Sequence, residues 1–112
     1  MNAQDLRKEA ESIREKAKSL RQEIESHAQK AAGKSASQDF NGAKAENDQV
    51  QKLSEQATQM EQQATQKDEE AGKMEQQAND LRQRGQQLEN DMAAISKQIE
   101  QLVGPSSFGG RF

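Results

Sequence analysis

The chain has 112 residues, 30% hydrophobic and 31% charged, with a formal net charge of -3. Leu, Ile, Val and Phe together number 15 against 15 Ala, well under the roughly 20% of large apolar residues that an ordinary globular core requires. The absence of Cys excludes a disulfide framework and any thiolate metal site, and a single His with no Trp or Tyr leaves few residues for catalysis.

Residues 1–34 carry eight Lys/Arg against six Asp/Glu, residues 35–80 four against ten, and residues 81–112 four against three. The first two blocks are therefore complementary in sign. No apolar run approaches the 18 to 20 or so residues of a membrane span, and Met1 to Leu20 is charged throughout, without a secretory apolar segment. An intracellular, cytoplasmic chain with no membrane partner is expected. A net charge this small, with no basic stripe interleaved with aromatics, argues against nucleic acid as a partner.

Along the first block, apolar residues fall at 3, 6, 10, 13, 17, 20, 24 and 31, with His27 in the one remaining slot. This 3-4 spacing is a heptad: Ala3, Ala10, Ala17, Ile24 and Ala31 take a positions, and Leu6, Ile13, Leu20 and His27 take d positions. It predicts a first helix over about 3–32. Gly33, Ser35, Ser37, Asp39, Asn41 and Gly42 then form a cluster of turn-forming residues, which predicts a loop over about 33–43.

A second heptad holds phase to Leu102, with Val50, Ala57, Ala64, Ala71, Ala78, Gly85, Met92 and Ile99 at a and Leu53, Met60, Lys67, Met74, Leu81, Leu88, Ile95 and Leu102 at d. It predicts a second helix over about 44–103, stopped by Gly104 and Pro105. The fold class expected is all-α: an antiparallel coiled-coil hairpin with a long protruding second helix, residues 1–103 forming one domain and 104–112 a flexible tail.

Antiparallel pairing requires facing a and d residues whose numbers sum to a constant. At 77, Leu20 faces Ala57, Ile13 faces Ala64, Leu6 faces Ala71, Ala17 faces Met60 and Ala3 faces Met74. Each of these layers joins one large and one small side chain, which fills space without voids. The same register places Arg21 beside Glu61, Arg14 beside Asp68 and Arg7 beside Glu75, while Glu9 and Glu70 share a flank unfavourably.

Residues that could carry chemistry have plainer readings. A metal site around His27 would need further ligands at suitable spacing, so His27 reads as a polar seam residue near a helix end. Lys67 at d, opposite Ala10, reads as a snorkelling side chain that helps specify register. Met60, Met74 and Met92 lie on the seam. Asp68, Glu69 and Glu70 are consecutive, so in a helix they diverge and read as a solvated face. No phosphate loop, nucleophile elbow or zinc-helix motif occurs; neither catalysis, a cofactor nor a small-molecule substrate is expected. Phe40, Phe108 and Phe112 fall outside the seams, and Phe108, Arg111 and Phe112 form a candidate tail motif in a Gly/Ser context.

Met74-Glu-Gln-Gln-Ala78 resembles the Ala/Gln/Glu-rich helices of chemoreceptor signalling hairpins, though the hairpin tip of that family is absent. Asp39 to Lys44, followed by Leu53-Ser54-Glu55, resembles the two-helix domain that precedes Smr nuclease domains, at a different spacing. No residue role is carried over from either.

Leu81, Gly85, Leu88, Met92, Ile95, Ile99 and Leu102 form a seam with no partner in the hairpin register. The function expected is structural: non-enzymatic assembly or scaffolding through helix pairing, as an antiparallel homodimer over residues 71–102. The alternative is an adaptor or chaperone-like protein whose exposed half-helix captures a helix of a hetero-partner. At a sum of 173, Gly85 faces Leu88 of a second copy, Ala78 faces Ile95, Ala71 faces Leu102 and Met92 faces Leu81, with Arg82 beside Glu89 and Arg84 beside Asp91.

Overall fold

A computed structural model describes residues 1–104, which form two helices, α1 over Ala3–Ala36 and α2 over Phe40–Val103. No strand occurs among the described residues. The chain is an antiparallel helical hairpin whose second helix continues unbroken to Val103. The candidate tail motif, Phe108, Arg111 and Phe112, lies outside the described residues.

Asn2 starts α1 through a capping box: its side-chain oxygen accepts from the Asp5 N–H at 2.9 Å, and the Asp5 carboxylate accepts from the Asn2 N–H at 3.3 Å. Two of the four N–H groups that a helix start leaves open are satisfied this way. At the other end of α2, Gly104 takes a φ of 80° and its N–H donates to Glu100 O at 2.7 Å. That left-handed cap, followed by Pro105, ends the helix where the Gly-Pro pair predicts.

The connection is shorter than the turn-rich composition suggests. Only Ser37, Gln38 and Asp39 separate the helices, not residues 33–43; α1 runs four residues past 32 and α2 begins four before 44. The reason is a pair of overlapping caps. The Asp39 N–H donates to Lys34 O at 2.8 Å and the Gln38 N–H to Ser35 O at 3.0 Å, the two bonds of a Schellman motif, with Gln38 in the left-handed conformation at φ 65°. Asp39 then caps α2 by accepting from the Gly42 N–H at 3.0 Å. A Cβ at residue 42 would collide with the Asp39 carboxylate, so Gly42 serves the cap from inside α2 while Gly33 is simply absorbed in α1.

The chain divides into two units, Met1–Met74 and Glu75–Phe112. The lengths of the helices account for the division: α1 has 34 residues and α2 has 64, so among the described residues only the first part of α2 has a partner helix.

In the first unit the heptad seam and the burial pattern coincide. Ala10, Ala17, Ala57, Ala64 and Ala71 are at most 1% exposed, and Leu6, Ala31 and Ala43 are also buried. Ile13, Leu20, Ile24, Val50, Leu53, Met60 and Met74 are half-buried, because in a two-helix layer a large side chain is covered by one neighbour only. Small residues at the contact and large ones over its edges let the helices approach closely. The register is reported by its ion pairs. Arg21 Nη2 lies 2.5 Å from Glu61 Oε1 and Arg14 Nη1 lies 2.5 Å from Asp68 Oδ2, the pairs expected of the 77 register. Arg7 Nη1 lies 3.5 Å from the other Asp68 oxygen.

Candidate interaction surface

The heptad that is covered in the first unit runs on into the second without covering. Leu81 and Leu88 are 62% and 63% exposed, Met92 and Ile95 are both 55% and Leu102 is 85%. Gly85 is exposed and Ile99 is half-buried. Met92, Ile95, Ser96 and Ile99 line a shallow apolar depression on this stripe. At a and d spacing these side chains recur along one face of the helix, the geometry that accepts a second helix.

Polar residues beside the stripe are occupied by local helical pairs. Arg82 Nη1 donates to Asn79 Oδ1 at 3.2 Å, and Gln87 Nε2 donates to Asp91 Oδ1 at 3.0 Å. Such pairs are individually weak and exchange readily for an interhelical partner. The stripe thus has an apolar centre and a basic and acidic margin on one helix.

The range 71–102 expected for a homodimer begins inside the first unit. Ala71 is fully buried within that unit and Met74 is half-buried there. The layers left in the same register run from Ala78 with Ile95 of a second copy to Ile95 with its Ala78. Ile99 and Leu102 fall at the edge of that overlap.

Other singled-out residues sit inside the hairpin. Lys67 snorkels, its side chain 32% exposed and its Nζ 2.8 Å from Glu9 Oε2. Glu69 and Glu70 are exposed, but Asp68 is not a solvated residue: its side chain is 27% exposed and takes both Arg7 and Arg14. Phe40 begins α2 and is 67% exposed. His27 Nδ1 donates to Glu46 Oε2 at 2.5 Å, and Lys34 Nζ donates to Glu46 Oε1 at 3.1 Å. Glu46 and Lys34 were not among the residues the spacing drew attention to. Carrying the heptad back from Val50 to 46, and forward from Ala31 to 34, locates both. Hydrogen bonds from His27 and then Lys34 hold the Glu46 carboxyl below its ordinary range. Among the described residues, no group of three or more potential ligands is placed to hold a metal ion, and no helix is long and apolar enough to cross a membrane.

No protein-family profile, curated protein or solved structure matches the chain.

Proposed function

We propose that the chain is a non-enzymatic coiled-coil assembly protein that acts by pairing its exposed α2 seam with the same seam of a second copy. The observation that carries this reading is the contrast along one heptad: Ala57, Ala64 and Ala71 are fully buried, whereas Leu81, Leu88, Met92 and Ile95 are more than half exposed. Large apolar side chains left in water at regular spacing are costly, at about 25 cal/mol per Å², and a helix of matching pattern relieves that cost.

A second copy is the occupant that fits the charges. Antiparallel pairing about a sum of 173 sets Arg82 beside Glu89 and Arg84 beside Asp91, and two-fold symmetry repeats each pair. Capture of a helix from a different protein is the second reading. The observation in its favour is the burial of Ala71, which shortens the self-pairing overlap.

Sedimentation equilibrium of the full chain, from micromolar to near-millimolar concentration, tests the proposal. A dimer mass that is lost in Leu88→Asp supports it. A monomer mass across the whole range overturns it, and helicity gained on adding a foreign helix would then favour the adaptor reading.

A further inference from the structure

Building on the self-pairing reading, we propose that Gly85 sets the antiparallel orientation of the pair. Among the described residues, nothing calls for glycine at this position. Among the described glycines only Gly104 has a positive φ, so Gly85 has ordinary helical geometry, and a Cβ built on it meets no atom within 4 Å. A helix-interior glycine weakens the helix relative to alanine. A partner that comes close at this point gives the residue a use.

The seam positions show why the use is orientational. In the antiparallel register the two-fold axis falls between residues 86 and 87, so the layers nearest it each join Gly85 of one copy to Leu88 of the other. The empty position receives the large side chain, as Ala57 and Ala64 do for Leu20 and Ile13 in the hairpin. A parallel pair stacks Gly85 on Gly85 and Ala78 on Ala78, leaving voids, whereas Leu88 on Leu88 at d is a favourable layer. Charge discriminates less sharply, because a parallel pair still joins Arg84 to Glu89. The void at Gly85 is therefore the main element directed against the parallel form, and voids in a helix seam are costly.

Nitroxide labels on Ser96→Cys in the full chain read the orientation. In an antiparallel pair, residue 96 of one copy lies level with residue 77 of the other, an axial separation between labels of about 28 Å at 1.5 Å per residue; in a parallel pair the labels are one interhelical spacing apart, about 10 Å. The long distance is expected for the otherwise unaltered chain. Gly85→Leu is expected either to shift it to the short one or to abolish the dimer. Adding Leu88→Gly to Gly85→Leu exchanges large and small positions and should restore the long distance. Gly72→Ala, off the seam and with nothing within 4 Å of its Cβ, serves as a control and should leave the distance unchanged.

A chain without the seam variants that stays monomeric overturns the self-pairing reading itself. A dimer that is parallel before Gly85 is altered, one that keeps the long distance and its affinity in Gly85→Leu, or a double variant that fails to regain the long distance overturns the role of Gly85 alone.

Discussion

Glu46 accepts a hydrogen bond from His27 across the hairpin, Nδ1 to Oε2 at 2.5 Å, and this bond, with that from Lys34, closes the seam at the loop end with polar groups instead of apolar ones. The Glu46 carboxyl is held below its ordinary value of 4.5, first by His27 and then by Lys34, against the opposing effect of burial. A carboxylate whose folded pKa is depressed contributes stability that is complete above its unfolded pKa and is lost as pH falls through the folded value. The hairpin should accordingly weaken below about pH 4.5, and Glu46→Gln should flatten part of that decline. Urea midpoints measured between pH 7 and pH 3 check this; an unchanged slope in the variant would show that other carboxylates dominate.

Gln38 occupies the left-handed position of the Schellman motif, where a side chain costs about 1 kcal/mol or more. Two backbone bonds, to Lys34 and Ser35, hold that conformation, and the Ser37 hydroxyl beside it donates to Gly33 O and Lys34 O, each at 3.1 Å. Gln38→Gly should raise stability by roughly 0.5–1 kcal/mol after the added freedom of the unfolded chain is subtracted. Asp39→Ala, which removes the cap on the Gly42 N–H, should lower it by about 1 kcal/mol. Thermal melts of the two variants should move in opposite directions.

The pairing register can be read chemically. Leu20→Cys with Ala57→Cys should form an intramolecular disulfide under mild oxidation, since facing seam positions bring Cα atoms within the roughly 4.4–6.8 Å that a disulfide spans. Leu20→Cys with Ala64→Cys lies about 10 Å out of step along the helix and should not. Bridging in the second pair and not in the first would require a one-heptad shift.

The hairpin was legible because its determinants are periodic. Ala10, Ala17, Ala57 and Ala64 sit at a positions, and each is at most 1% exposed. The complementary charges of the two blocks reappear as the Arg14 and Arg21 ion pairs. The turn was legible only in outline. Gly33 and Gly42 count as turn residues by composition, yet a helix tolerates a glycine at a modest cost, and the left-handed residue that makes the turn is a glutamine. Glu46 escaped notice because it is the d position just before Val50, where the apolar run of the second heptad begins, whereas His27 and Lys67 lie between apolar seam residues. The unpaired stripe from Leu81 to Ile95 was plain in the heptad, but its starting point depended on knowing that α1 already covers Ala71.

Lys67 illustrates how a charge sits in a seam. It occupies a d position opposite Ala10, which is fully buried, and the small neighbour leaves room for the lysine stem to pass outward. Its Nζ then lies 2.8 Å from Glu9 Oε2, both side chains being about one-third exposed or more, at 32% and 41%. An ion pair that open to solvent contributes no more than about 1 kcal/mol. Methionine would keep the packing of the stem and remove the partly desolvated ammonium, so Lys67→Met should stabilise the hairpin by up to about 1 kcal/mol in 0.15 M salt. Glu9 would then share its flank with Glu70 without a cation between them, and the gain should shrink at low ionic strength, where like charges are less screened. Lys67→Ala, losing both stem and charge, should be destabilising at either salt concentration. Urea unfolding of the three proteins at 0.01 M and 0.15 M salt separates these contributions. A loss of more than 1 kcal/mol in Lys67→Met at the higher salt would mean that the bond to Glu9, rather than the space beside Ala10, explains why a lysine stands in the seam.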